Sequence, residues 1–442
     1  MPTSTSIANS ITSAIIMEYK VIFTFMKTKT LFALVLLFTC ITFIQGQNRD
    51  ITIGQTLKIK SEAFNEERAL SIFLPDDYES STKDYPVLYL LDGQNWFSYA
   101  VSINQLMSRY DYVPKFIIVG IETSDSPRFG FFANSGKLVD FLEKDVITYV
   151  DDNYRTNDDR MLFGWQFAAA FTVETMIRKP ELFKAYFAAS PIPLNDQRLD
   201  AFSKLLSSKP ELDQTLLFTT SLNENGVEAN VQRLASIIED KAPTHFSWEY
   251  KVMKNEELPA LGHTTTPLGT IYHGLRNHYA DYPLLEFNTI EDFQEAGGHD
   301  HVQSYYQQRA EKYNLAPGIP HEGKFFLIRL GMDADHYPTF ERFMNEFIET
   351  DFLGNINLGW NTRYAEFYLK HNKPNGAKVI YEKLIERFPE NARPVNGLGD
   401  AFRAEGNLIE AKKHYLKAIE LAEKTQDSRL EAYKKDLQDI GR

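Results

Sequence analysis

The chain has 442 residues and a formal net charge of -13, a length that suggests two or three domains at roughly 100 to 200 residues each. The acidic balance, with no basic patch or stripe, excludes a nucleic-acid binder of the usual electrostatic kind. Aromatic residues make up 13% of the chain, which fits a folded protein with a large core and is compatible with sugar-like or aromatic ligands. The first recognisable element lies at residues 26–47. A basic start over residues 26–30 with Lys27 and Lys29, an apolar run from Leu31 to Ile44 and a polar exit at Gln45, Gly46 and Gln47 have the layout of a signal peptide. The expected true start is Met26, with residues 1–25 as an upstream extension, and the mature protein is expected to be secreted or periplasmic with no membrane span. A retained anchor is the alternative, though the run is shorter than the ~20 residues a span needs. The single cysteine, Cys40, falls inside this run, so the mature protein is expected to have neither a disulfide nor a thiol nucleophile.

From residue 67 the pattern alternates strands and helices. Strands are expected at 67–75, 85–91, 115–122, 185–190, 214–221 and 245–252, with helices at 137–150, 167–179 and 228–239. This alternation predicts an α/β domain over residues 48–285 with a mostly parallel central sheet covered on both faces. In such sheets ligands bind beyond the carboxyl ends of the strands.

Residues 160–171 carry the sharpest signal. An apolar strand runs into Gly164, the chain turns within one residue, and a helix of small residues begins at once. This is the layout of the G-x-S-x-G nucleophile elbow of α/β-hydrolases, where strand and helix backbones approach closely and demand small residues two before and two after the nucleophile. Gly164 and Ala168 meet that demand, but Gln166 stands where serine is needed. A carboxamide carries no proton that a neighbouring histidine can remove, so the turn is kept and the attacking group is lost. An ordinary strand-to-helix turn is the competing reading of these residues.

Acyl transfer in this fold orders nucleophile, acid and histidine along the chain. After Gln166 the expected strand ending near Ser221 opens into Asn223, Glu224, Asn225 and Gly226, and the next leads to Gly262 and His263. Glu224 is placed to hold the imidazole of His263, with Glu228 as its rival. Oxyanion donors are expected from the backbone of Phe167 and from the turn Asp92, Gly93, Gln94, Asn95. Trp96, Phe97, Tyr99 and Trp165 either line a substrate pocket or pack the sheet edge. Ser190 and Thr172 are the hydroxyls that could replace the lost nucleophile, yet neither occupies the turn.

The stretches Leu74 to Tyr78, Tyr85 to Gly93, Ile118 to Ile121, Tyr154 to Thr156, and Gly262-His263 followed by Pro267 together resemble the esterase family of α/β-hydrolases that includes the ferric enterobactin esterases. That family is similar to esterase D and to the carbohydrate esterases that remove acetyl or feruloyl groups. The resemblance runs from about residue 50 to 280. It implies a serine esterase without metal or organic cofactor, acting on a small-molecule ester such as a siderophore or acylated saccharide. Carried over by position, it places the nucleophile site at Gln166, the base at His263, the acid at Glu224, and the oxyanion donors at the backbones of Gln94 and Phe167. The chain departs from the family at the attacking side chain, and Ala168 and Ala169 replace the usual glycine pair. The expectation is a degenerate esterase that binds, with strongly impaired turnover. The alternative is an active hydrolase using a displaced nucleophile or a water activated by His263.

Residues 286–350 are expected to form a helical connecting segment, with a helix at 301–313 and a Pro/Gly loop at 314–323. Gly297 to His301 invites a metal reading, and a solvated loop is the plainer one. Residues 351–442 repeat at 34 residues, the tetratricopeptide period: Tyr364 aligns with Leu398, Ala365 with Gly399, Tyr368 with Phe402, Ala377 with Ala411, and Tyr381 with Tyr415. Two such units are fewer than a self-standing array needs, so they are expected to lean on their neighbours. They either recruit a protein partner or shape the rim of the first domain.

Overall fold

The computed structural model describes residues 52–123, 128–222, 224, 226–254 and 259–440. The expected signal peptide with Met26 and Cys40, and Asn223 and Asn225 of the acid loop, lie outside the described residues. Eight strands form one sheet: β1 (Gln55–Ser61), β2 (Glu66–Phe73), β3 (Tyr85–Leu91), β4 (Ile117–Ile121), β5 (Thr156–Trp165), β6 (Ala185–Ala189), β7 (Thr215–Ser221) and β8 (Ser247–Met253). Their order is β1-β2-β4-β3-β5-β6-β7-β8. β1, β2 and β4 pair antiparallel, and from β4 to β8 all pairings are parallel.

The central parallel strands β3, β4 and β6 are apolar throughout because both faces are covered. All seven residues of β3 are buried, and their alternation divides them between two cores. Val87, Tyr89 and Leu91 pack with the helices Phe167–Arg178, Asp196–Ser208 and Glu228–Lys241 on one face. Leu88 and Leu90 pack with Gly93–Arg109 and Pro259–His278 on the other.

The first strand precedes the one expected at 67–75. In β1 only Leu57 and Ile59 are apolar, and Lys58 and Lys60 are exposed between them, as on an edge strand with one face in water. His263, expected in a loop, lies in the helix Pro259–His278. The loop expected over 314–323 ends at Pro320, where the helix His321–Asp333 begins. Proline is compatible with a helix start because the first-turn N–H groups have no partner within the helix anyway.

Beyond residue 286 the chain is helical. Three hairpins follow one another, His321–Asp333 with Tyr337–Phe347, Leu358–Lys370 with Pro374–Arg387, and Ala392–Ala404 with Leu408–Thr425, before the closing helix Leu430–Asp439. One hydrophobic core runs unbroken from Ile290 to Ala401, so packing draws no boundary at 350 between connector and repeats. The aligned repeat positions Tyr364, Ala365, Ala377, Tyr381, Ala411 and Tyr415 are all buried. Asn357 and Asn391, also 34 residues apart, cap the first helices of successive hairpins.

Glycine lets one hairpin receive the aromatic ring of the previous one. A Cβ at Gly397 would sit 2.3 Å from Cζ of Tyr381, a ring only 1% exposed and unable to swing aside. Gly397→Ala gains up to ~1 kcal/mol of helix propensity but overpacks a closed site, which costs about 1 to 3 kcal/mol. A net loss of about 1 kcal/mol in urea unfolding is expected; a stabilised variant would show that the hairpins are not held by this contact. Among the described residues no helix is long and apolar enough to cross a membrane.

Candidate active site

The site collects at the carboxyl ends of the parallel strands. β3 ends beside Asp92, β5 runs into Gln166, β6 into Ser190, β7 toward Glu224, and the helix after β8 brings His263. Register places these ends side by side, with Trp165 opposite Ala189 and Ala189 opposite Thr219.

Gln166 has φ 56° and ψ -114°, a conformation that persists in a non-glycine residue only when the surroundings impose it. Its N–H donates to Ala189 O at 2.9 Å, and its carbonyl accepts from Ala170 N at 2.9 Å and Ile192 N at 3.3 Å. The close approach expected of an elbow is present: a Cβ at Gly164 would lie 2.4 Å from both C and O of Ala168. Those are backbone atoms that cannot move aside. Gly164→Ala is therefore expected to cost about 2 kcal/mol and to lower the melting temperature by several degrees; an unchanged melting curve would mean that the turn tolerates a wider elbow.

The side chain of Gln166 is held at both ends. Oε1 accepts from Arg128 Nη1 at 3.1 Å, and Nε2 lies 2.7 Å from His263 Nε2. Arginine can only donate, so it fixes the carboxamide with oxygen toward Arg128 and the NH2 toward His263. An amide nitrogen offers no lone pair, so His263 Nε2 accepts. The imidazole is then the tautomer carrying its proton on Nδ1, which donates to Glu224 Oε1. The Glu224 side chain is 6% exposed and further accepts from Ser190 Oγ at 2.9 and 2.8 Å and from Ser221 N at 3.0 Å. The rival Glu228 instead takes a hydrogen bond from Gln232 Nε2.

Both candidate replacement hydroxyls are occupied. Ser190 is buried and donates to Glu224, and Thr172 donates to Ala168 O at 2.9 Å within the elbow helix.

Arg128, which no sequence pattern singled out, pairs with Asp92 of the expected oxyanion turn and forms a second part of the site. Asp92 is fully buried with φ 56°. Its Oδ2 accepts from Arg128 Nε at 2.9 Å and Nη2 at 2.7 Å, and Nη2 also reaches Trp165 O at 2.6 Å. Thr123 Oγ1 donates to Asp92 Oδ1. The guanidinium lies 5.4 to 5.7 Å from the ring centres of Trp165, Phe167 and Phe132. The signal available in sequence was the placement of Asp92 at the end of β3. Its partner 36 residues later belongs to no fixed spacing.

The expected pocket residues divide. The Trp165 ring lies 5.1 Å from that of His263 and meets Trp96 edge-on at 5.3 Å, with Trp96 only 8% exposed. Phe97 packs over Gly54, just before β1, and over Gly120 of β4. Gln94 is the second residue of the helix Gly93–Arg109, and its side chain exchanges hydrogen bonds with Thr123 at 3.0 and 3.2 Å. Phe167 is the first residue of the elbow helix. In the stretch that invited a metal reading, His299 Nε2 pairs with Glu346 at 2.8 Å, and no cluster of three metal-ligating side chains occurs among the described residues.

Residues 61–256 match the model of the Esterase family, described as "Putative esterase". Among solved structures, an uncharacterised protein from Capnocytophaga ochracea is similar in fold, with 14% identity, 88% of this chain and 99% of that one covered, and a TM-score of 0.51. A share of that size includes much of the helical segment. An IroE-like serine hydrolase from Shewanella oneidensis is 20% identical over 66% of this chain and 98% of its own, with a TM-score of 0.49. The enterobactin esterase FES from Shigella flexneri is 16% identical over 53% of this chain and 60% of its own, with a TM-score of 0.42. No curated protein matches the chain.

Proposed function

Residues 61–256 belong to the esterase family of α/β-hydrolases, and on that premise we propose that the chain is a degenerate esterase, which binds a small-molecule ester at the elbow without efficient turnover. The observation that carries this reading is the contact between Gln166 and His263. In a working site the base's Nε2 receives the proton of a serine hydroxyl as attack begins. Here the same nitrogen receives an amide N–H, which is neither a useful proton source nor a nucleophile. Glu224 and His263 keep the acid and base roles by position, and the backbones of Gln94 and Phe167 the oxyanion roles. Trp96, Phe97 and Trp165 are proposed as the apolar side of the pocket. A siderophore or acylated saccharide ester remains the ligand class that the sequence resemblance implies.

The active alternative finds less support. A displaced nucleophile would have to be a hydroxyl within reach of His263, whereas Ser190 and Thr172 are committed elsewhere. A water activated by His263 would have to displace the Gln166 amide and would forgo covalent catalysis. The discriminating experiment is hydrolysis of short aryl esters by the wild-type protein beside His263→Ala. Equal background rates are expected. A wild-type rate that His263→Ala abolishes would establish an active enzyme and end this reading.

The signal-peptide pattern supports secretion or residence in the periplasm. The 34-residue spacing supports tetratricopeptide-type units, whose proposed role is to present a surface to a protein partner.

A further inference from the structure

At the amino-terminal edge of the sheet, opposite the edge that carries Gln166, lies a cleft of about 1000 Å3. One wall is built from the beginnings of β3, β5 and β7, and the other from the helix Gly298–Tyr313 and the loop 314–320. The cleft therefore exists only because the helical segment docks under the hydrolase sheet.

Two charged side chains facing this space are not satisfied by the protein. Arg309 is 8% exposed. Its Nε donates to Tyr282 O, and its guanidinium lies 4.4 Å from the Tyr282 ring centre. Neither terminal nitrogen has a hydrogen-bond or ion-pair partner among the described residues. Among the described residues Asp111 makes no side-chain hydrogen bond or ion pair, and burial pushes its carboxyl above the ordinary range despite the nearby charges of Arg309 and Lys115. The terminal nitrogens of an otherwise buried arginine and the carboxylate of half-buried Asp111 open toward one cavity, where a group other than the protein can complete their bonding.

The chemistry of that guest follows from the walls. Six aspartates and five lysines and arginines line the cleft, so neither an anion nor a cation is selected by overall charge. Arg309 can only donate and an ionised Asp111 can only accept, so the bridging group must offer an acceptor and a donor close together, as neighbouring hydroxyls do. Tyr313, half-buried at the cleft and edge-on to the buried Tyr282 at 4.9 Å, offers apolar ring surface beside these charges. A volume at the upper end of small-molecule sites accommodates more than a single amino acid. We propose that this cleft is a second binding site, separate from the elbow, for a neutral saccharide held between Arg309 and Asp111 and packed on Tyr313.

The test is saturation-transfer-difference NMR on the full chain with maltotetraose, xylotetraose and cellotetraose, and with glycine and citrate as charged comparators. The expected result is a signal from at least one oligosaccharide in the wild type and in His263→Ala. That signal should fall at least fivefold in Arg309→Met and in Ala316→Trp. Ala316 is an exposed loop residue at the cleft, so its tryptophan variant obstructs the space without touching the core and decides the matter even if Arg309→Met does not fold. The proposal is overturned if no saccharide gives a signal, if only glycine or citrate gives one that depends on Ala316, or if the saccharide signal survives Ala316→Trp or is lost in His263→Ala.

Discussion

The Gln166→Ser variant is expected to hydrolyse short aryl esters about 10^3-fold faster than the wild type, the order of magnitude associated with a base-activated nucleophile in such sites. The reason is geometric. The backbone at position 166 already has the elbow conformation and is fixed by three backbone hydrogen bonds. His263 Nε2 already lies 2.7 Å from the present side chain, and Glu224 already holds Nδ1. A serine hydroxyl is shorter than the carboxamide, so the imidazole has to follow it by a small rotation, which its 38% exposed side chain permits. The gain must vanish when His263→Ala is added. A Gln166→Ser protein that folds as the wild type does and still shows no His263-dependent rate would mean that the rest of the machinery has decayed with the nucleophile.

The second large effect is on stability. Arg128→Met is expected to cost about 3 kcal/mol, because it strands the carboxylate of Asp92, which is 0% exposed, with Thr123 Oγ1 as its remaining hydrogen-bond donor among the described residues. Removing one partner of a buried pair typically costs about 3 to 5 kcal/mol. The lower end applies because the Arg128 side chain is 28% exposed and the pair is partly screened. The double variant Asp92→Asn/Arg128→Met should recover a substantial part of the loss, since no charge is then left unpaired. Urea unfolding of the four proteins measures this coupling. Additive losses would contradict the assignment of Arg128 as the counter-charge that holds the end of β3 against the elbow.

How much of this was legible in the sequence depends on whether the signal was local. The elbow was, because close approach of strand and helix writes itself into adjacent positions as Gly164 and Ala168. The parallel sheet was, because strands buried on both faces must be apolar over their whole length, as β3 is. The row Gln166, His263, Glu224 was legible through chain order, although the helix that carries His263 was not: residues 262–267 include a proline and three threonines, and packing overrode their weak propensity. β1 was hidden because an edge strand with charges on its outer face resembles a loop. The Asp92–Arg128 pair and the bond from Ser190 to Glu224 were hidden because their members are 36 and 34 residues apart and meet only when the strand ends align. The helical segment was half legible. Its 34-residue period could be read, but the hairpin of residues 321–347 that shares its core departs from that period and reads as a connector.

The central claim is that the chain keeps an esterase's elbow and lacks its nucleophile. Intact-protein mass spectrometry after incubation with a fluorophosphonate tests it most directly, because the reagent reports an activated hydroxyl without requiring knowledge of the substrate. The wild type should stay unmodified and Gln166→Ser should carry a single adduct that is absent from Gln166→Ser/His263→Ala. A single stoichiometric adduct on the wild type, lost in His263→Ala, would contradict the claim by revealing another hydroxyl activated by the same histidine.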